Sequence, residues 1–446
     1  MENYYVTHCC KNKDEREELM PAIKRYLGSY ISDIYKIAKN INEKFLIFSG
    51  KYGFLEPDEL IPYYDKLLSY EDFDNLLKIT EEQYKKYNFK KITFMHIDTS
   101  LDAKVKVYVD FIKKFSELHN IELKLIPIKP DKIIIPKSIE NKYYYQQIKK
   151  LKKEKKFFIA SNIYMKEKIQ NISDFIGGPY EIIKEVRKSD YKICIICGVT
   201  YLSELVAIFN PRKIIIQPRL DAICRFNNIL DERDVLDLRK VFPDSIIFAH
   251  ISCNLKVKLL ADWITDEKHL IEYLQQNKIT KNPIILLGGN FCGDYISNFT
   301  DKEIICSEGY CVSSIKFTDN VINDFLKKKM IKRKEIKILV TPQCHFSTFK
   351  IADEVLNPYE IYNYVRNSNE KKFLICSEIN FVMKLKKEFP EKEIYSPIEN
   401  AVCNDINRIR LKDVYEALIN LRYKVKIPEE ISEKIREKVI GLNYGS

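Results

Sequence analysis

The sequence predicts an α/β protein: a small N-terminal parallel-sheet domain followed by a pseudo-three-fold triple α/β/α repeat around one shared centre. Three observations predict it. Short apolar runs alternate with amphipathic stretches along the chain, the pattern of parallel strands covered by helices on both faces. From about residue 140 onward one layout recurs three times. Each recurrence closes on a cysteine.

The N-terminal domain is placed at residues 1–128. YYVTHC, KFLIFSG, ITFMHI and ELKLIPI read as its strands, and the stretches near 20–40, 70–88 and 102–119 carry the apolar spacing of helices. A Lys-rich connector, 129–155, follows. The larger domain, 156–446, holds repeats at about 156–235, 236–325 and 326–415, with a closing helix at 416–446. The first half of each repeat is a strand, a polar turn, a short helix and an Asp-containing element, at Asp174, Asp262 and Asp353. The second halves run to Cys224, Cys311 and Cys403. The interval from Cys197 to Cys224 equals that from Cys376 to Cys403, so the repeat does not rest on a few apolar letters.

Composition narrows the class. A chain of 446 residues, 46% hydrophobic and 12% aromatic, suits a multi-domain globular protein. No apolar run approaches about 18 residues and the N-terminus lacks a signal-peptide layout, so a cytoplasmic protein without a membrane partner is expected. The net charge is +11, and residues 129–156 hold ten Lys against three acidic residues. With Tyr143, Tyr144 and Tyr145 beside them, these lysines read either as a solvated connector or as a track for a phosphate backbone with stacking rings.

Twelve cysteines in a reducing compartment need another explanation than disulfides. Most read as small buried hydrophobes. Functional groups of open parallel units gather on loops beyond the carboxyl ends of the strands. Three such units around one axis bring Cys224, Cys311 and Cys403 to one place. Three thiolates fill three corners of a [4Fe–4S] cubane and leave one iron open as a Lewis acid. Zinc is the competing reading, but its cysteines usually come in close pairs, and these three have none.

Here the residues carry a resemblance. QNISDFIG, CGVTYLSELVAIFNP, DAIC, EGYC, TPQC, KLKKEFPEKEIY and the tail CNDINRIRLKDVYEAL resemble quinolinate synthases in order and spacing, from about residue 140 to the C-terminus. The resemblance implies a pseudo-three-fold fold and a cluster whose free iron coordinates a small substrate during condensation and dehydration of iminoaspartate with dihydroxyacetone phosphate. It also locates departures. The family's A-H-Y-Y-Q turn is Ser161 to Met165 here, with Asn162 for its His and Tyr164 retained. Its H-P-E-C is Thr341-Pro342-Gln343-Cys344. His250 and Ser252 replace a tyrosine and an asparagine, Ser314 replaces a His, Pro179 replaces a Ser, and Leu356-Asn357-Pro358-Tyr359 replaces the phosphate-side G-S-T-S. The implied catalytic positions are therefore Tyr164, Asn162, His250, Gln343 and Thr341. The substrate-binding positions are Ser161, Ser252, Ser314, Cys344 and Asn357.

The N-terminal domain, through HCCKNK and FSGKYGFLEPDELIPYYD, resembles a small α/β domain found beside nucleobase- and tRNA-modifying enzymes. Its candidate site is His8, Cys9, Lys11, Ser49, Lys51, Tyr64 and Asp65, with backbone amides at Gly50 and Gly53 placed to receive an anion. Three functions follow. The first is a cluster-dependent lyase or transferase of the quinolinate synthase type, acting on a small carboxylate-bearing substrate with a changed pocket. The second is a cluster-dependent nucleobase- or tRNA-modifying enzyme, such as one inserting sulfur. The third is a redox or iron sensor.

Overall fold

The structure, a computed structural model, describes residues 3–129, 137–225, 229–288, 293, 295–307 and 309–442. Residues 130–136 of the Lys-rich connector and Cys292 lie outside the described residues. The chain forms two compact units that divide between Gln146 and Gln147, within the helix Lys137–Glu154.

The first unit is a five-stranded sheet in the order Gly53–Leu55, Lys44–Ser49, Asn3–His8, Lys91–Ile97, Glu122–Ile128. All neighbours are parallel except the edge strand Gly53–Leu55, which folds back antiparallel on Lys44–Ser49. Sequence reasoning missed that strand because it is short and follows a tight turn. Gly53, at φ +70°, supplies the left-handed residue the turn needs. The helices Ser29–Asn40, Phe73–Tyr87 and Lys106–Leu118 cover the sheet, near the places the apolar spacing indicated. Val6, Phe48, Phe94 and Phe111 are fully buried, and Phe48 stacks on Phe111 with ring centroids 5.1 Å apart.

The second unit holds three four-stranded parallel sheets with one topology. In each, the first strand of the repeat sits between the second and the third, and the fourth flanks the third. The first strands are Phe157–Asn162, Ile246–His250 and Lys337–Val340. The repeated aspartates explain how each sheet is set. Asp174, Asp262 and Asp353 each donate a backbone N–H to a first-strand carbonyl, of Ile159, Ile247 and Ile338, at 2.7, 2.9 and 2.9 Å. Each carboxylate accepts the N–H of that same residue, at 2.9, 2.8 and 2.7 Å. Each also meets a cation, Lys152, Arg239 or Arg333. A charge-assisted bond clamps the second strand to the first three times over.

The tail departs from the single helix expected over 416–446. It forms two helices, Leu411–Asn420 and Glu429–Lys438. Between them the backbone of Tyr423 pairs with Gln217 in both directions, which pulls the chain out of helix to lengthen the first sheet. Pro428 then precedes the next helix, where its missing N–H costs nothing.

Candidate active site

Cys224, Cys311 and Cys403 lie on the loops that follow the last strands of the three repeats, and all three are partly exposed. Cys194, Cys197, Cys253, Cys344 and Cys376 are buried. Tyr201, on the helix Thr200–Phe209, gauges how the three loops converge. Burial keeps its phenol from ionising, reinforced by the charges of Cys224, Cys403, Glu267 and Cys311. One hydroxyl therefore lies within electrostatic reach of all three thiols. Burial likewise pushes the Cys403 thiol up to about 11, offset by the N–H groups of Ile406 and Asp405 and reinforced by Cys311.

Among the described residues, no three His, Cys, Asp or Glu side chains surround a point closely enough for a single metal ion. A cubane makes a different demand, because each thiolate binds a different iron and the sulfurs stand around a larger body. Three half-exposed thiols on separate loops that share the reach of Tyr201 suit that donor set.

A cavity of about 150 Å³ opens beside Cys224, lined by Thr200, Tyr201, Glu204, Ser252 and Asn254 as well. Behind Tyr201, Lys258 is fully buried, with its ammonium 5.5 Å from the Tyr201 ring centre and no hydrogen-bond partner among the described residues. Burial pulls Lys258 down to about 8 and raises Glu204, although the charge of each opposes the shift of the other. A second, smaller cavity of about 30 Å³ is lined by His250, Thr265, Glu267, Leu270 and Leu287. It has room for a water but not for a substrate.

The residues singled out from sequence fall into three groups. The first comprises Tyr164, Asn162, Ser161, His250, Ser252 and Gln343. Tyr164 is held far above its ordinary phenol value by burial and then by Cys311, Glu378 and Cys344, and Ser377 Oγ donates to its hydroxyl at 3.4 Å. Its neighbour Asn162 accepts the Tyr164 N–H at 3.0 Å. Ser161 is fully buried, and its hydroxyl has no partner among the described residues. His250 Nδ1 meets Ser252 Oγ and accepts the Ser252 N–H at 3.2 Å, while Nε2 lies 3.4 Å from Glu267 Oε1. Gln343 Nε2 donates to that same oxygen at 2.5 Å.

A second group is engaged in local structure. Thr341 and Cys344 are fully buried and both bond the Cys376 carbonyl. Asn357 caps the helix Pro358–Asn367 in a reciprocal box with Glu360. Ser314 sits in the turn after Cys311, its N–H bonded to the Cys311 carbonyl at 3.0 Å, whereas the neighbouring Ser313 Oγ lies 3.2 Å from Cys311 Sγ.

The third group is the candidate set of the first unit. His8 is buried and pushed down to about 4, chiefly by that burial. Its Nδ1–H donates to the Cys9 carbonyl at 2.8 Å, and its Nε2 accepts the Ile97 N–H at 3.2 Å. Cys9 Sγ lies 3.6 Å from the Tyr108 hydroxyl. Ser49 Oγ accepts the N–H groups of Lys51 and Tyr52, which are thereby already bonded, and meets Tyr64 at 2.8 Å. Tyr64 also bonds Tyr26 at 2.6 Å, with Lys51 above its ring. Lys11 and Asp65 are exposed.

Sequence reasoning missed Tyr201, Glu204, Glu267 and Glu378. Tyr201 and Glu204 stand three apart on one helix face inside CGVTYLSELVAIFNP, and a carboxylate in so apolar a helix was the available signal. Glu267 follows the strand Trp263–Thr265, at the sheet edge where function gathers. Glu378, buried at the start of the helix Ile379–Glu388, is raised to about 7 by that burial and receives the Cys403 N–H at 3.3 Å.

Comparison with known proteins bears on this geometry. The model of the family described as quinolinate synthetase A protein matches residues 146–440. The chain is 30% identical to a quinolinate synthase of Clostridioides difficile (strain 630) over 298 residues, 67% of this chain and 96% of that protein. It is 32% identical to one from Clostridium novyi (strain NT) over 289 residues, covering 65% and 94%. It is 28% identical to one from Pyrococcus furiosus over 296 residues, covering 66% and 95%.

Proposed function

The chain belongs to the quinolinate synthase family, and from that premise we propose that it is a [4Fe–4S]-dependent lyase or transferase with a changed substrate. Cys224, Cys311 and Cys403 would hold the cluster, which supplies Lewis acidity at an iron without a protein thiolate. The observation that carries this reading is the equivalent placement of three partly exposed cysteines, each on the loop after the last strand of one of three sheets of the same topology, with Cys224 lining a cavity.

The rest is work for the chain's own residues. The cavity admits a molecule of only a few heavy atoms. Its described lining contributes Glu204, Ser252, Thr200 and Asn254, and no lysine or arginine. A phosphate dianion finds no counter-charge in such a lining, and the turn Leu356-Asn357-Pro358-Tyr359 stands where the resemblance places the phosphate-side turn. The substrate we propose is a small carboxylate-bearing molecule, as the family resemblance implies, with the changed phosphate-side turn weighing against a phosphate group. Ser252 offers a hydrogen bond to its polar atoms, and Tyr201 and the exposed Ile223 give the lining its apolar side, while the Asn254 amide is already bonded to Leu230 and Val257.

Lys152 is tied to Asp174 and to the Ile172 carbonyl, and Lys142 to Glu43. No helix among the described residues is long and apolar enough to cross a membrane.

Anaerobic purification tests the reading. The chain is expected to carry about four irons. Cys224→Ser, Cys311→Ser and Cys403→Ser should each lose them, and Cys194→Ser should not. A fully loaded Cys311→Ser variant rejects the ligand set. Assay with iminoaspartate and dihydroxyacetone phosphate should give little quinolinate, about 10²-fold or more below a family member run in parallel, because Thr341 and Gln343 cannot transfer protons as His and Glu do. Turnover at the family member's rate rejects the changed substrate.

A further inference from the structure

We infer that Ser252, His250 and Glu267 form a proton relay that runs inward from the cysteine-lined cavity, with Ser252 Oγ as the group that takes and returns the substrate's proton. The inference rests on the reading that this cavity is the reaction site.

The proton on the imidazole is placed by its neighbours. The Ser252 backbone N–H points at His250 Nδ1 from 3.2 Å, and an N–H can only donate. Nδ1 therefore presents its lone pair, and the ring proton sits on Nε2. Nε2 faces Glu267 Oε1 at 3.4 Å, a long contact of the kind catalytic hydrogen bonds show before substrate closes on them. Glu267 is only 7% exposed, and the same Oε1 is held by the Gln343 amide. Ser252 Oγ touches Nδ1 from the opposite end, and Ser252 lines the same cavity as Cys224. From the cavity inward the order is hydroxyl, imidazole, carboxylate and amide. In that order a proton leaving the hydroxyl is accepted by a ring whose imidazolium is stabilised by the carboxylate behind it.

The fold holds this order rigid. Cys253 donates its N–H to the His250 carbonyl at 2.9 Å and buries its thiol against the Leu287 carbonyl, which locks the turn. The small cavity behind His250 holds no more than water, so the substrate is confined to the Ser252 side. The other titratable groups facing the pair are Asp266 on the same loop, itself paired with His269, and the phenols of Tyr180, Tyr201 and Tyr295, each of which feels the Glu267 charge.

A built-in control exists. His345 and Ser347 repeat the local motif, with the Ser347 N–H on His345 Nδ1 at 3.2 Å and its hydroxyl at 2.9 Å. There the serine turns to the start of the helix Asp319–Lys328, accepting the Asp319 N–H.

In the forward step a substrate hydroxyl or C–H yields its proton to Ser252 Oγ as the serine proton passes to His250 Nδ1. The electron pair stays on the substrate, and the imidazolium rests between Ser252 and Glu267. In the reverse step the same proton goes to a leaving hydroxide, which departs as water. No oxidant or reductant enters.

Histidine-labelled ¹⁵N NMR on the cluster-loaded chain, with six histidines in all, tests the relay without any substrate. A His250→Gln variant assigns the resonance. Wild type should show Nδ1 bare and Nε2 protonated at His250. Glu267→Ala should keep that tautomer, which the Ser252 N–H sets, but shift the Nε2–H resonance, and Glu267→Asp should largely restore it. A proton on Nδ1 in the wild type, or an unchanged signature in Glu267→Ala, overturns the relay. Where a screen of small carboxylates finds turnover, His250→Gln and Ser252→Ala should lower kcat about 10²–10⁴-fold with little change in KM, while His345→Gln leaves both alone. Full activity of Ser252→Ala also overturns it. Absence of turnover on every small carboxylate would reject the proposed reaction and leave the NMR result to decide the relay.

Discussion

The edge of the first unit's sheet and the strand ends of the second carry similar letters and differ in what those letters have left to offer. In the first unit His8 spends both ring nitrogens on backbone groups, and Ser49 and Tyr64 close a hydroxyl chain with Tyr26. In the second, Ser161 keeps a buried hydroxyl without a partner among the described residues, and Ser252 and Tyr201 face a cavity beside a thiol. Histidines, serines and tyrosines at strand ends mark a candidate site in either case. Hydrogen-bond saturation decides whether it is available for chemistry or already committed to the fold.

Acid offers the largest way to break that comparison. His8 is held at about 4 against an ordinary 6.5, so the folded state resists its protonation. The unfolded chain binds the proton first, so the stability is complete above pH ~6.5 and falls as pH drops toward ~4, by about 3 kcal/mol. His96, also lowered by burial, works in the same direction. Hydrogen exchange of the full chain, followed in peptides covering residues 3–8 and 91–97 and corrected for intrinsic rate, should show protection fading across that window. His8→Phe should lose stability at pH 7 and flatten the acid dependence. Unchanged protection at pH 4.5 would mean that the committed reading of His8 is wrong.

The sequence made one half of this contrast easy to read and the other hard. The four parallel strands of the first unit, the three repeats and the cysteine loops all followed from apolar periodicity and spacing, properties the chain carries locally. Asp174, Asp262 and Asp353 were visible as a repeated letter, but their double bond to the first strand was not, because the partner lies fifteen residues upstream across a sheet. Glu204 and Glu267 were passed over, since a single acidic residue near a helix start reads as solvated surface until neighbouring elements bury it. His8 and Tyr64 drew attention for the opposite reason: a sequence displays donors and acceptors but not whether they are used.

The aspartate clamps sharpen the comparison within the second unit. Replacing a carboxylate that accepts a buried N–H and meets a cation should cost about 1.5–3 kcal/mol. Asp262→Asn, Asp174→Asn and Asp353→Asn should therefore lower stability by similar amounts in denaturant titrations, with the cluster ligands untouched. A loss confined to one of the three would break the structural equivalence of the repeats.

The smallest effect separates lysines along one helix, Lys137–Glu154. Lys152 Nζ lies 2.6 Å from Asp174 and 2.9 Å from the Ile172 carbonyl, so it extends the first clamp. Lys150 makes only a loose pair with Glu154 at 3.8 Å on an exposed face, and Lys153 is exposed. Lys152→Met should cost about 1 kcal/mol, as loss of a charge-assisted bond does, while Lys150→Met and Lys153→Met stay within about 0.5 kcal/mol. The same variants bear on the net charge. If the stretch gripped RNA, replacing Lys150 and Lys153 with Gln would flatten the salt dependence of tRNA retention by up to about 2 in log–log slope. An enzyme of a small carboxylate needs no such grip, and filter binding at about 150 mM salt should retain no tRNA on the wild-type chain. Retention there, lost in the Lys150→Gln, Lys153→Gln pair but kept in Lys152→Met, would give the connector a function that its clamp to Asp174 does not explain.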